Sequence, residues 1–284
     1  MGLLKLKFEI VRHAHIAWYR IVMCLIAVRK KVLQYECNIC GGLVASPLVD
    51  VCEREKISCP KCGANLRHRS VVHALSLELF GRSLILPDWP VSMQLHGIGT
   101  SDWEGVADRL AKKCAYVNTY YHQEPRLDLG SIPESKVETC DFLVSCDVME
   151  HVAPPVAIGF RNLYRLLKRG GVCVMTVPYM HYDQTWEHYP ELFDYKVSQV
   201  DGRQVLENRT RNGRIEIFSN PVFHGGDGST LELRVFSRKS LEEELKRAGF
   251  HEIRFHRIHQ PAFGIIWPIN WSLVISARKG IFSN

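Results

Sequence analysis

Two pairs of cysteines with identical spacing constrain this chain more than any other feature. Cys37-Asn-Ile-Cys40-Gly and Cys59-Pro-Lys-Cys62-Gly are separated by the eighteen residues 41–58. Two residues between thiols let one tight turn aim both sulfurs at a single tetrahedral ion, and Gly41 and Gly63 supply the positive φ such turns favour. The segment is therefore expected to be a zinc ribbon with ligands Cys37, Cys40, Cys59 and Cys62. A redox pair or two disulfides leaves the doubled spacing unexplained. A closed four-thiolate site supplies folding free energy to a segment too short for its own core and leaves no position open for substrate, so the expected zinc is structural. Cys52 has no partner at the same spacing and reads as a small buried side chain. Cys24, Cys114, Cys140, Cys146 and Cys173 lie among apolar neighbours, as in a reduced, cytoplasmic chain.

Charge divides the sequence sharply. Residues 1–34 hold seven basic side chains (Lys5, Lys7, Arg12, Arg20, Arg29, Lys30 and Lys31) against the single acid Glu9, which accounts for the whole formal charge of +6; residues 35–284 carry 29 of each sign. The same segment is rich in apolar residues and has no proline or glycine after Gly2, so it reads as a basic amphipathic helix. Its expected role is docking against the body of the protein or a second subunit, or attachment to the inner face of a membrane. Its longest unbroken apolar run, 21–28, is eight residues, short of the roughly 20 of a spanning helix.

From about residue 91 short apolar runs alternate with helical patterns, which predicts a parallel sheet covered by helices. Strands are expected at 92–96, 115–118, 142–146, 172–177, 252–258 and 272–278, and helices at 103–112 and 156–167. Lys168-Arg169-Gly170-Gly171 should stop the second helix, and Ser240 with Glu243 should cap a later helix that closes at Gly249. Ligands of such sheets bind beyond the carboxyl ends of the strands. At those ends stand His96-Gly97-Ile98-Gly99-Thr100-Ser101-Asp102, then Asn118-Thr119, Asp128, and Asp147-Val148-Met149-Glu150-His151-Val152.

These segments, with 166–172 leading into Thr176-Val177-Pro178-Tyr179, resemble the class I S-adenosylmethionine-dependent methyltransferases over roughly residues 91–279. The resemblance implies a Rossmann-like sheet of seven strands, the last antiparallel. It further implies that Gly97, Gly99 and Ser101 lie against the cofactor, Asn118 faces its ribose, Asp128 its adenine and Asp147 its methionine portion. Leu95 and Ser101 stand where family members usually have an acid and a third glycine, and Asn118 replaces the usual ribose-binding acid. The stretches 118–125, 187–191 and 223–226 look like a bacterial subgroup with an N-terminal cysteine ribbon, associated with polysaccharide and glycosyl-transfer functions.

The domains expected are a helix at 1–34, a zinc ribbon at 35–70 and a methyltransferase domain at 71–284. An insertion at about 179–234, rich in histidine and aromatic residues and with Gly225, Gly226 and Gly228 as hinges, reads as a substrate lid or a packed hairpin. Methyl transfer to oxygen or nitrogen needs an acceptor stripped of its proton, which makes His151, His188 and His224 the expected catalytic residues. On a helical turn Asp147, Glu150 and His151 would share a face at i, i+3 and i+4 and could hold a divalent ion, as similar segments do in small-RNA and ubiquinone-pathway O-methyltransferases. The expected acceptor is a saccharide or sugar-linked metabolite. The rivals are an RNA methyltransferase, with Arg67-His68-Arg69 on nucleic acid, and a non-catalytic scaffold. Against RNA, residues 35–80 carry five basic and five acidic side chains, lacking the surplus that phosphate contacts require.

Overall fold

The computed structural model describes residues 2–224 and 230–281. The chain begins with one long helix, α1 (Gly2–Val28), followed by the antiparallel pair β1 (Val32–Glu36) and β2 (Leu43–Pro47) and a short helix α2 (Leu48–Cys52). Helix α3 (Leu66–Phe80) follows the cysteine-bearing segment. Asn65 caps it, accepting from the His68 amide at 2.9 Å while His68 Nδ1 accepts from the Asn65 amide, and Gly81 at φ 68 ends it. Arg67, His68 and Arg69 thus form its first turn.

The main sheet is built from β3 (Ser92–Thr100), α4 (Glu104–Ala111), β4 (Cys114–Thr119), β5 (Cys140–Cys146), α5 (Ala157–Leu166) and β6 (Leu167–Thr176). An insertion carries β7 (Tyr179–Met180), β8 (Trp186–Glu187), β9 (Asp194–Val200), β10 (Arg203–Arg209), β11 (Ile215–Ser219), β12 (Phe223–His224), β13 (Thr230–Leu231) and β14 (Arg234–Ser237). Helix α6 (Arg238–Ala248), β15 (His251–Phe255) and β16 (Ile275–Arg278) complete the fold.

The sheet has six strands, not seven, in the order β15-β16-β6-β5-β3-β4. Strands β3 to β6 run parallel; β16 is antiparallel to both neighbours, as expected of the last strand. The segment carrying Asp128 forms no seventh strand, because it turns back on the end of β4: the Tyr120 amide donates to Pro125 O and the Leu127 amide to Tyr120 O, both at 2.9 Å. Helix α5 packs on β5 and β6 with α6 beside it, α4 covers β4, and α3 lies on β6 and β16. The core between them is aliphatic and aromatic and fully closed, from Leu143 and Val174 to Phe160 and Leu245.

Two local expectations give way to geometry. Helix α5 stops at Leu166, just ahead of Lys168–Gly171 as expected, but these four residues form a bulge in β6 rather than a glycine cap, with Gly170 at φ 75 and the pairing with β5 shifted between Cys140 and Phe142. Ser237, three residues before Ser240, is the N-cap of α6, its Oγ accepting from the Ser240 amide at 2.9 Å.

Chain order reverses between β3 and β5: β4 lies on one side of β3 and β5 on the other. The carboxyl ends of β3 and β5 therefore bound the crevice where open α/β sheets place their ligands.

Candidate functional site

The β3 side of the crevice is filled by its own polar cluster. Gly97 and Gly99 are strand residues rather than the turn expected after 96, and the reversal falls on Ser101 at φ 59. A Cβ on Gly97 would overlap the Phe142 ring, so this glycine lets two adjacent strands carry a large aromatic. Above Gly99 sit Tyr116 Oη, Asp102 and Asn118. Tyr116 donates to the buried Asp102 carboxyl, which burial raises to about 7. Asn118 accepts from the Asp102 amide and donates to its carbonyl, each at 2.9 Å, and donates to Tyr120 Oη at 3.1 Å. Asp128 accepts from the Gly130 amide at 2.7 Å.

At the end of β5, Asp147 adopts φ 53 and its carboxylate is claimed by the cysteine-bearing segment. Arg54 donates to both of its oxygens, at 2.7 and 3.0 Å; Arg67 approaches Oδ2 at 3.4 Å and Thr176 donates to Oδ1 at 2.9 Å. Despite burial, the two guanidinium groups hold this carboxyl well below the usual range. Glu55 bridges the same arginines, accepting from Arg67 Nε at 2.8 Å and from Arg54. His68 stacks on Trp103, ring centroids 4.4 Å apart. Arg69 is fully buried, donating to the carbonyls of Ala64 and Gly264. The basic triplet at 67–69 is thus engaged inside the protein, and Arg54, which stands in no motif, is a residue that sequence reasoning missed.

The four cysteines converge as their spacing requires. Sγ separations are 3.8 Å for Cys37–Cys62, 3.8 Å for Cys40–Cys59 and 3.5 Å for Cys59–Cys62. A metal–sulfur bond of about 2.3 Å in a tetrahedron gives sulfur edges of about 3.8 Å, so the cage fits a four-thiolate ion. Gly41 at φ 70 and Gly63 at φ 82 close the two turns, each amide donating to the first cysteine of its pair at 2.8 Å. Cys52 is buried apart from this group.

The remaining constellation lies just past Asp147. Residues Met149–His151 form a single 3₁₀ turn, and Asp147 lies outside it with its carboxylate drawn toward Arg54. The expected Asp147/Glu150/His151 face therefore does not form. His224, from the insertion, takes the place of Asp147: ligand atoms of Glu150, His151 and His224 all lie within 4.8 Å of one another. Glu150 is fully buried; His224 Nδ1 stands 3.2 Å and His151 Nε2 3.8 Å from its Oε1, and Oε2 has no hydrogen-bonding partner among the described residues.

Burial pushes the Glu150 carboxyl up to about 7, whereas hydrogen bonding to Glu150 raises His224. Desolvation lowers His151. His151 Nδ1 donates to the Leu231 carbonyl at 2.8 Å, which fixes the ring and leaves Nε2 as a lone-pair donor toward Glu150. The turn itself is clamped by the insertion. The fully buried Arg234 donates to the carbonyls of Met149 and Val152 at 2.9 and 2.6 Å and to Glu187 at 2.7 Å, and the Leu233 amide donates to Glu150 O at 2.9 Å.

Of the three histidines expected in catalysis, the structure brings together His151 and His224, with ring centroids 5.3 Å apart. His188 is set one step away, its Nε2 3.2 Å from Glu232. The insertion folds as a packed unit, with the three-stranded sheet β11-β10-β9 and a small core of Tyr189, Leu192, Leu206 and Leu233. The glycines at 225, 226 and 228 lie outside the described residues. An open cleft of about 600 Å³ lies beside the insertion, between His181-Tyr182-Asp183 and the α6 side chains Arg238, Glu242 and Lys246.

No family model matches this chain, and no curated protein matches it. Among solved structures it is similar to a 1,6-didemethyltoxoflavin-N1-methyltransferase from Burkholderia thailandensis, at 14% identity over 74% of this chain and 76% of that one, with a TM-score of 0.39. It is also similar to an amino pentose methyltransferase of calicheamicin biosynthesis from Micromonospora echinaspora (13% identity, 76% and 92% covered, TM-score 0.41). A third is an S-adenosylmethionine-dependent methyltransferase from Clostridium acetobutylicum (11% identity, 67% and 85% covered, TM-score 0.40).

Proposed function

We propose that this chain is an S-adenosylmethionine-dependent methyltransferase that modifies an oxygen of a saccharide or sugar-linked metabolite, with Glu150, His151 and His224 on the acceptor side. The observation that carries the reading is the buried Glu150 carboxylate, flanked by two imidazoles beyond the carboxyl end of β5. An uncompensated buried carboxylate is costly, and such groups concentrate where a proton or an ion must be held.

In the transfer, the acceptor oxygen forms a bond to carbon as the carbon–sulfur bond breaks, and the hydroxyl proton must leave. Glu150, whose carboxyl burial pushes up to about 7, and His224, which stands 3.2 Å away and is raised by Glu150, are placed to receive it. Bound S-adenosylmethionine supplies the electrophilic methyl group. Asp102, Asn118 and Tyr120 gather at the crevice as polar groups suited to its nucleoside hydroxyls. The oxygen and nitrogen donors of Glu150, His151 and His224 suit a divalent ion, and Cys37, Cys40, Cys59 and Cys62 suit structural zinc in a ribbon.

Calorimetric titration of the full chain with S-adenosylmethionine and S-adenosylhomocysteine tests the reading. Binding heat, with a rise in melting temperature, is expected. Absence of both would favour a non-catalytic scaffold, a second reading suggested by the Asp147–Arg54 clamp and by Asn118 being hydrogen-bonded to its own loop. An RNA acceptor is disfavoured by the internal engagement of Arg67 and Arg69. Manganese binding that is measured by calorimetry and lost in Glu150→Gln would support the ion at the acceptor side.

A further inference from the structure

Helix α1 has two faces of different fates. Successive residues turn by 100°, so Phe8, His15 and Tyr19 share one side. That side is anchored on the protein: Phe8 stacks on Trp186 with centroids 4.8 Å apart, and His15 and Tyr19 meet Trp271 at 5.3 and 5.9 Å. The opposite side carries Leu6, Ile10, Trp18, Ile21, Leu25 and Val28, each more than half exposed. At 100° per residue these six occupy an arc of about 120° running the full length of the helix. Nothing among the described residues covers it. A continuous apolar stripe of this length on an otherwise soluble surface is costly to leave in water.

The charges beside the stripe specify what covers it. Lys7 lies within the arc near the helix start, Arg20 borders it, and Arg29, Lys30 and Lys31 follow its C-terminal end, all exposed, whereas Glu9 is the only acid of the helix. Leu6–Val28 is by length and composition apolar enough to cross a bilayer, with a mean hydropathy of 1.2. Crossing would pull Phe8, His15 and Tyr19 away from Trp186 and Trp271. A helix held along one side, apolar along the other and bordered by cations is instead suited to the plane of a membrane interface.

We infer that α1 lies flat in the interface of an anionic bilayer, its outer stripe among the acyl chains and its basic residues at the headgroups, while its inner face carries the body of the protein. A second copy of the chain would also cover the apolar stripe, but it would set together two segments that each carry seven basic residues against one acid.

Flotation of the full chain with vesicles of phosphatidylglycerol and phosphatidylcholine decides the matter. The protein should float with vesicles rich in phosphatidylglycerol, stay behind with pure phosphatidylcholine, and be released by salt. I10S/I21S/L25S, which alters exposed positions only, should lower the partition coefficient by at least about a hundredfold, and R29Q/K30Q/K31Q by roughly the same factor. Circular dichroism would verify that both variants remain folded. Failure of the folded protein to float, or flotation indifferent to these substitutions, salt and lipid charge, would overturn the inference. So would a dimer in analytical ultracentrifugation that I10S/I21S/L25S dissociates.

Discussion

Replacing Glu150 by glutamine should make the protein more stable above neutral pH while removing its activity. The carboxyl is fully buried and burial raises it from 4.5 to about 7. Between those values the folded state binds a proton that the unfolded state has released, so stability falls as pH rises through this window. At about 1.36 kcal/mol per pH unit, the loss from pH 4.5 to pH 7 amounts to about 3 kcal/mol. His224 acts in the same direction: its pKa is raised chiefly by Glu150, so the stability its protonation provides is present below 6.5 and lost as pH rises through the folded value. Glutamine keeps the shape and removes both effects. Urea denaturation at pH 5, 6, 7 and 8 should show wild type and Glu150→Gln nearly equal at pH 5 and the variant ahead by about 2 to 3 kcal/mol at pH 8. Parallel stability profiles for the two proteins would refute the argument, because they would mean that Glu150 carries no proton in the folded state across this range.

Other perturbations test the supports of the site. Chelation of the metal expected at the four cysteines should unfold the segment around β1, β2 and α2 and release Arg54 from Asp147, which limited proteolysis would detect as new cleavage between residues 41 and 67. Gly97→Ala should cost about 1 to 3 kcal/mol by driving a methyl group into the Phe142 ring, with partial recovery on adding Phe142→Leu; chemical denaturation measures both. Arg234→Ala should cost roughly 3 kcal/mol or more, because it strands the Met149 and Val152 carbonyls and Glu187, and the melting temperature should fall by about 6 °C or more.

What was legible in the sequence follows from how local each signal is. The cysteine turns need only two residues and a glycine, and they form where the spacing puts them. The strands of the central sheet stand within a few residues of the apolar runs, because a parallel strand buried on both faces must be apolar. Boundaries set by single contacts were not legible. The Gly-x-Gly pair reads as a turn until the Phe142 ring, 45 residues away, is seen to require a strand without a side chain at Gly97. In the same way, Asp147, Glu150 and His151 read as one helical face, yet Arg54, 93 residues from Asp147, pulls the first of them out and His224 replaces it. No periodicity carries information about such long-range partners.

Asp147 and Glu150 are three residues apart and meet opposite fates, and the difference explains how the crevice is organised. Asp147 is answered by two guanidinium groups from the N-terminal segment and stays ionised. Glu150 faces only imidazoles and its own turn, so its charge is resisted. Each neighbourhood comes from outside the sheet: the cysteine-bearing segment supplies the cations, and the insertion supplies His224 together with the Arg234 clamp. The sheet alone would present two exposed carboxylates at the end of β5. The added segments turn one into a fixed anion that ties the cysteine module to the crevice, and the other into a proton-holding group near neutrality. This separation of roles between adjacent acids is what acid–base chemistry at physiological pH requires. It also means that the N-terminal module and the insertion act on the site through different residues, so losing Arg54 should leave the titration of Glu150 in place, and losing His224 should leave the Asp147 clamp intact.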